Sequence, residues 1–327
     1  MAGELPGYLR AAIERRLNGV ARGELARRSA AISLAYRSGS GSGAVLSSDA
    51  DITAYLVTRL PATYAATAAA LTEVARRAPS FRPASMIDAG AGPGTASFAG
   101  TATWPEIAVV TMVDASARLL ETSAELSADS DIAALREARR VAGDMVTAAA
   151  GDAALVVASY ALPEVSTSRL PATVARLWEA TSGVLVLVEP GTPAGFARIR
   201  AARAALIAAG GNIVAPCPHA LACPIVAPDW CHFAVRLARS RDHRLVKEAE
   251  APFEDEKYAY VAVARPEVAH EAFAARVLAP TRMNKVAMTA KLCTADGTIA
   301  MRTVPRRDAE AFRAWRRLDW SDAVEAD

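Results

Sequence analysis

The stretch Ile87-Asp88-Ala89-Gly90-Ala91-Gly92-Pro93-Gly94 limits the possible folds of this chain more than any other part of it. It follows an apolar strand pattern and opens a helical one. Glycines at such a junction allow a tight turn and let the backbone approach a ligand closely. The surrounding sequence repeats the same unit. Residues 84–89, 108–114, 154–159 and 184–189 are short apolar runs, each followed by a turn and then a helical pattern. Strand, turn and helix in repetition predict an α/β fold with a parallel sheet covered on both faces. Two later runs, 233–237 and 258–264, are expected to complete the sheet as an antiparallel pair at its edge.

On either side the texture differs. Residues 5–35 read as one helix with Leu9, Ile13, Leu17 and Val20 on its apolar face. The Gly/Ser run from Ser38 to Gly43 reads as a loop. A second helical segment extends from about Ser48, which can cap it, to Arg77, and Pro61 is expected to break it. After Pro266, segments 286–293 and 298–304 flank Ala295-Asp296-Gly297, whose Asp-Gly pair suits a hairpin turn. A basic helix at about 307–318 follows. The expected organisation is a helical N-terminal region (1–80), a central α/β domain (81–266) with an irregular, cysteine-bearing stretch at 210–232, and a small basic C-terminal unit (267–327).

Net charge is only +2, but it is unevenly spread. Eleven Lys/Arg face five Asp/Glu between Arg265 and Arg317, and five basic residues face one acid between Arg236 and Lys247. Positive charge concentrated in this way can meet a phosphate backbone, or it can be an ordinary solvated surface. No stretch approaches 18 apolar residues free of charge, so a membrane span is not expected. A cytoplasmic, reducing setting is expected, where four cysteines point to metal binding or catalysis rather than to disulfides.

A bare glycine-rich loop also serves nucleotide dehydrogenases. Here the acids around it favour another cofactor. Asp88, at the strand end, would repel a pyrophosphate but can bind the ammonium of S-adenosylmethionine (SAM). Asp114 ends the next strand about 20 residues beyond the loop, where a carboxylate can accept from ribose hydroxyls. Asp144 follows the third strand, at adenine height, and Ser159 ends the fourth, beneath the sulfonium. Gly90, Gly92 and Gly94 complete the expected cofactor-binding set. This ordered set resembles the class I SAM-dependent methyltransferases, a Rossmann-like α/β fold, over roughly residues 83–265. The resemblance does not extend to catalysis. Ser159-Tyr160-Ala161-Leu162-Pro163-Glu164 stands where amino-group methyltransferases carry Asn/Asp-Pro-Pro-aromatic. Cys217 falls too late in the chain for the nucleophile of cytosine-C5 enzymes. Tyr160 and Glu164 are the candidates for a base or a stacking platform.

Cys217, Cys223 and Cys231 crowd into one 15-residue stretch, and Cys293 follows far behind. Prolines at 216, 218 and 224 stiffen the loop. Four thiolates suit tetrahedral zinc or a cubane iron–sulfur cluster, and unliganded buried thiols are the plain alternative. His219 and His232 flank the sites as possible substitutes or neighbours.

The run Pro216-Cys217-Pro218-His219, Cys223-Pro224, Asp229-Trp230-Cys231-His232-Phe233, Arg236 and Phe253-Glu254-Asp255-Glu256-Lys257-Tyr258-Ala259-Tyr260 resembles the small-ribosomal-subunit-associated methyltransferase-like family, mitochondrial small-subunit assembly proteins and their bacterial relatives. The resemblance implies a SAM-domain protein that binds the small ribosomal subunit, through its rRNA, during assembly. It also implies a [4Fe–4S] cluster, or zinc, on Cys217, Cys223, Cys231 and Cys293, which would tie the C-terminal unit to the main body. Arg236, Arg239, Arg241, Arg244, Arg302, Arg306 and Arg307 would then gather into one RNA-binding surface. Three readings stand: an rRNA-directed methyltransferase-like factor, a non-catalytic assembly factor, and a small-molecule methyltransferase with structural zinc. A monomer with no membrane association is expected.

Overall fold

The computed structural model describes residues 3–38, 46–148 and 150–325. The chain begins with four helices, α1 (Gly7–Leu17), α2 (Arg22–Ser38), α3 (Asp49–Thr58) and α4 (Leu60–Arg77). Residues 5–35 are therefore two helices and not one. The break falls at Asn18-Gly19, where Gly19 takes a φ of 77° that stops the first helix. Ser48 caps α3 in a reciprocal box with Asp51, and Pro61 sits in the first turn of α4, as the sequence suggested. The Gly/Ser loop after Ser38 lies largely outside the described residues.

The central region runs β1 (Ser85–Ala89), α5 (Thr95–Thr103), β2 (Val109–Asp114), α6 (Ala117–Ser127), α7 (Ala133–Arg136), β3 (Arg139–Ala142), β4 (Ala153–Ser159), α8 (Leu170–Glu179), β5 (Thr181–Pro190), α9 (Pro193–Ala208), β6 (Asn212–Ala215), β7 (Phe233–Ala238), α10 (Arg241–Lys247) and β8 (Phe253–Ala264). The strand order is β3-β2-β1-β4-β5-β8-β6, parallel from β3 to β5. The long β8 runs antiparallel to β5, then pairs with β7 along its first half and β6 along its second. β6 escaped the sequence reading because its four residues carry no recognisable period and lead straight into the proline-rich loop.

Alternation along the strands sorts the core into two layers. Val184, Val186 and Val188 of β5, with Tyr258, Tyr260 and Ala262 of β8, join one cluster with Ile52, Leu56, Leu60, Tyr64 and Leu71 of the N-terminal helices. Leu185, Leu187, Val261 and Val263 point the other way, onto Leu177, Trp178, Ile199 and Leu206 of α8 and α9. The N-terminal helices thus cover much of one sheet face. Burying one such Val or Leu contributes roughly 1.5–3 kcal/mol, so shedding this layer would expose several such side chains at once.

The C-terminal region is a five-stranded sheet, larger than the hairpin expected. Its elements are β9 (Ala275–Val277), β10 (Arg282–Met283), β11 (Ala287–Thr294), β12 (Ile299–Pro305), α11 (Ala309–Trp315) and β13 (Ala323–Val324). The β11–β12 hairpin turns at Asp296-Gly297, and Gly297 has φ 81°. A small core of Val277, Met288, Leu292, Val304 and Trp315 fills one face. None of the described helices is long and apolar enough to cross a membrane.

Candidate functional site

The strand order reverses direction between β1 and β4, and a crevice opens beyond their carboxyl ends. The glycine loop forms its floor, with Gly90 and Ala91 donating to the Val113 carbonyl at 2.8 and 2.9 Å. Each of the three expected acids lines the crevice, and local donors hold each one in place. Asp88 Oδ2 accepts from the Ser97 amide and hydroxyl at 2.8 and 2.9 Å. Asp114 accepts from the Gly92 and Ser116 amides at 2.7 and 2.8 Å. Asp144 accepts from the Val146 amide at 2.8 Å and from Arg169 at 2.9 Å. Burial pushes the Asp88 carboxyl up to about 7 against those hydrogen bonds, and it also raises Asp114. Asp144, more exposed, is held below the usual range by the Val146 amide and Arg169.

No local pattern marks the residues that close this crevice from above. Tyr55 of α3 and Thr63 of α4 line it together with Leu46, so the N-terminal helices reach over the pocket. Thr95, at the first turn of α5, has a buried hydroxyl on the pocket wall with no partner among the described residues. Ser159 also lines the pocket, its hydroxyl bonded to Thr67 of α4 at 2.7 Å. Tyr160 adopts the left-handed region at φ 57° and donates its hydroxyl to Glu256 at 2.8 Å, with Arg59 3.5 Å from the same carboxylate oxygen. Glu164 lines the crevice. The acidic run on β8 is therefore a set of buttresses. Glu254 takes Lys247 and Arg239, Asp255 takes Arg236, and Glu256 takes Tyr160.

A second cavity lies at the carboxyl end of β6, beside Ala259 and Tyr260 of β8. Cys217 lies two residues past the end of β6, Cys223 and Cys231 lie in the loop before β7, and Cys293 comes from β11. All four line this one cavity together with Arg203, Arg276 and His219. Cys293 is paired across the sheet with Arg276, so the two side chains share a face. His219 Nε2 stands 3.3 Å from Cys293 Sγ, and its Nδ1 is buried with no hydrogen-bond partner among the described residues. Burial and the neighbouring thiols push Cys293 up to about 12 and raise Cys231 well above its ordinary value. Among the described residues no group of three or more His, Cys, Asp or Glu is drawn tightly enough to hold a metal ion.

The basic residues divide between two elements. Arg236, Arg239, Arg241 and Arg244 lie on and beside β7 and α10, elements that pack against the N-terminal helices. Arg302, Arg306 and Arg307 lie on β12 and just after it. Among the described residues no bond or ring contact joins the two groups. Arg236 is held in a two-pronged pair with Asp255 at 2.7 and 2.8 Å, and Arg239 lies 3.2 Å from Glu254.

Strand order, the antiparallel β8 and the acid-lined crevice together define a methyltransferase-fold protein of the Rossmann-like α/β class. Within that class, the chain belongs to the mitochondrial small ribosomal subunit Rsm22 family, whose model matches residues 49–325. It is 28% identical over 297 residues to the human mitochondrial ribosome assembly protein METTL17, covering 83% of this chain and 61% of that protein. The chain thus spans about three fifths of that relative's length. Among solved structures it is similar to magnesium protoporphyrin IX methyltransferase from Synechocystis with bound SAM (15% identity, 70% of this chain and 89% of that one, TM-score 0.41). It is also similar to a SAM-dependent methyltransferase from Agrobacterium tumefaciens (16% identity, 62% of each chain, TM-score 0.38).

Proposed function

We propose that this protein is a SAM-binding, methyltransferase-like factor that binds the small ribosomal subunit through its rRNA during assembly. The observation that carries the RNA half is a set of uncompensated charges. Arg282, Lys285, Arg302, Arg306, Arg307, Arg313, Arg316 and Arg317 are all exposed on the C-terminal unit, and none is ion-paired among the described residues. Arg302 and Arg306 are steadied over the rings of Trp315 and Phe312, at 4.5 and 4.9 Å. The test is binding of a small-subunit rRNA fragment across a salt series. Each phosphate that a side chain neutralises on a single strand steepens the log–log slope by about 0.7, so R302Q/R306Q/R307Q should flatten it by about 2. An unchanged slope would remove this face from the interface.

SAM suits the first pocket on its donor set. Asp88 would meet the ammonium, Asp114 the ribose and Asp144 the adenine amine, and the buried Thr95 hydroxyl offers a further donor. SAM would supply an electrophilic methyl group. An ammonium favours the ionised carboxyl, so binding should strengthen as Asp88 deprotonates. With Asp88 near 7, affinity for SAM rises about fivefold from pH 6 to pH 7, as the ionised fraction goes from about a tenth to a half. Calorimetry at the two pH values checks this, and Asp88→Asn should remove the slope.

The second reading, an assembly factor that uses the fold for binding alone, is favoured by Tyr160. Its hydroxyl is committed to Glu256 and its ring is buried, so it presents no base to an acceptor. Transfer of a labelled methyl group from SAM to immature small-subunit RNA decides between the two readings.

The four cysteines fit a [4Fe–4S] cluster by their chemistry and their shared cavity. A zinc ion at 2.3 Å from each sulfur would draw the sulfurs to about 3.8 Å of one another. As they stand, the thiols among the described residues are not grouped closely enough to hold a metal ion, so loading either centre would draw the loop and β11 together. The cluster would supply a rigid cross-link between β11 and the loop that follows β6.

A further inference from the structure

Arg203 of α9 is 5% exposed and stands in the wall of the cysteine cavity. One of its terminal nitrogens donates to the His219 carbonyl at 2.7 Å, and its Nε is buried with no acceptor among the described residues. Among the described residues no carboxylate pairs with it. Arg276, which lines the same cavity, differs in this respect. Its three donors reach the Pro216 carbonyl at 2.8 Å, the Ser321 carbonyl at 2.7 Å and Glu73 at 2.6 Å. A guanidinium cannot shed its proton, and burying it without an anion is costly. The groups around Arg203 that can become anionic are the thiols lining the same cavity.

We infer that Arg203 is the built-in counter-cation of the cysteine cavity, a positioning residue whose charge is balanced only when the four sulfurs are thiolates around a bound metal centre. The inference rests on the cluster reading above. Four thiolates around zinc or a cubane carry net negative charge, and the nearby guanidinium lowers the cost of burying it. Arg203 also holds the His219 carbonyl, so the same side chain keeps the His219 ring 3.3 Å from Cys293. One cation then stabilises sulfurs on both the central sheet and the C-terminal sheet. Partners of this kind around metal ligands are worth about 10–100-fold in metal retention.

The test uses the full chain, purified anaerobically or reconstituted with iron and sulfide, as wild type, R203M and R203K. Metal and sulfide analysis of the wild type comes first, and absence of any bound metal would defeat the cluster reading and this inference with it. If the wild type loads, R203M should release metal to a chelator about 10–100-fold faster, and its cluster should have a more negative midpoint potential. R203K keeps the charge, so its potential should stay near wild type even if release quickens. Equal release rates and potentials in wild type and R203M would overturn the role of Arg203 and leave the cluster standing. If R203M does not fold, R203K decides, and a potential shifted despite the retained charge counts against the inference. If the metal is zinc, chelator release alone is the readout.

Discussion

Gly90→Ala should destabilise the protein by about 3 kcal/mol and abolish the SAM binding proposed for this crevice, whereas Gly92→Ala, two residues away, should cost only about 1 kcal/mol. Both glycines have positive φ, 72° and 55°, so a side chain at either meets the left-handed penalty of about 1–2 kcal/mol. The difference lies in what a methyl group would meet. At Gly90 it would stand 2.4 Å from the Ala161 Cβ and 3.1 Å from the Met145 Cε, while at Gly92 nothing lies within 4 Å. Ala161 belongs to the turn after β4, so the clash pushes the loop off the end of that strand and opens the crevice the three acids surround. Forcing such overlap adds about 1–3 kcal/mol. Thermal unfolding and SAM calorimetry on the two variants check the contrast, and equal destabilisation would show that backbone strain alone governs the loop.

The central sheet was legible because its strands are buried on both faces, and a doubly buried strand announces itself as an unbroken apolar run. The loop and the three acids were legible for a related reason, since each sits at a fixed place relative to a strand end. What the sequence hid arises where separate elements meet. Nothing local in Tyr55 or Thr63 says that α3 and α4 arch over the crevice. The N-terminal helices read as an appendage because their apolar stripe is the same whether it faces a neighbouring helix or a sheet. By composition alone the acidic run at 254–256 suits either a solvated turn or a buttress for a neighbouring arginine. It is a strand because β5, β6 and β7 offer β8 partners, and its charges are matched by Arg236, Arg239, Lys247 and Arg59 from elsewhere.

The cysteines show the same limit from the other side. Spacing grouped three of them, and resemblance added the fourth. The shared cavity follows from the register of β11 against β9, which sets Cys293 across from Arg276. Arg203 and Arg276 carry no signal in a chain with so many arginines. A buried arginine looks like any surface arginine until the acids and carbonyls around it are known.

Arg276→Met should release the C-terminal sheet from the rest of the molecule, at a cost of about 3–5 kcal/mol. This side chain is 1% exposed and binds three parts of the fold at once: Pro216 beside the cysteine loop, Ser321 near the C-terminus and Glu73 on α4. Phe273 lies between it and Arg77, 4.4 and 4.7 Å from the two guanidinium carbons, and Arg77 in turn binds Glu325. The C-terminal sheet is thus fastened by buried charge. Methionine would fill part of the volume but leave two carbonyls unsatisfied and Glu73 with fewer cations. Cleavage in the segment between β8 and β9 under limited proteolysis should then quicken by two orders of magnitude or more, since 3 kcal/mol is about 150-fold in an opening equilibrium. Lys291→Met, which removes only the surface pair with Asp229, should change it by less than about fivefold. Equal protection in wild type and the Arg276 variant would mean that the Trp320–His232 contact and the remaining packing suffice to hold the sheet in place.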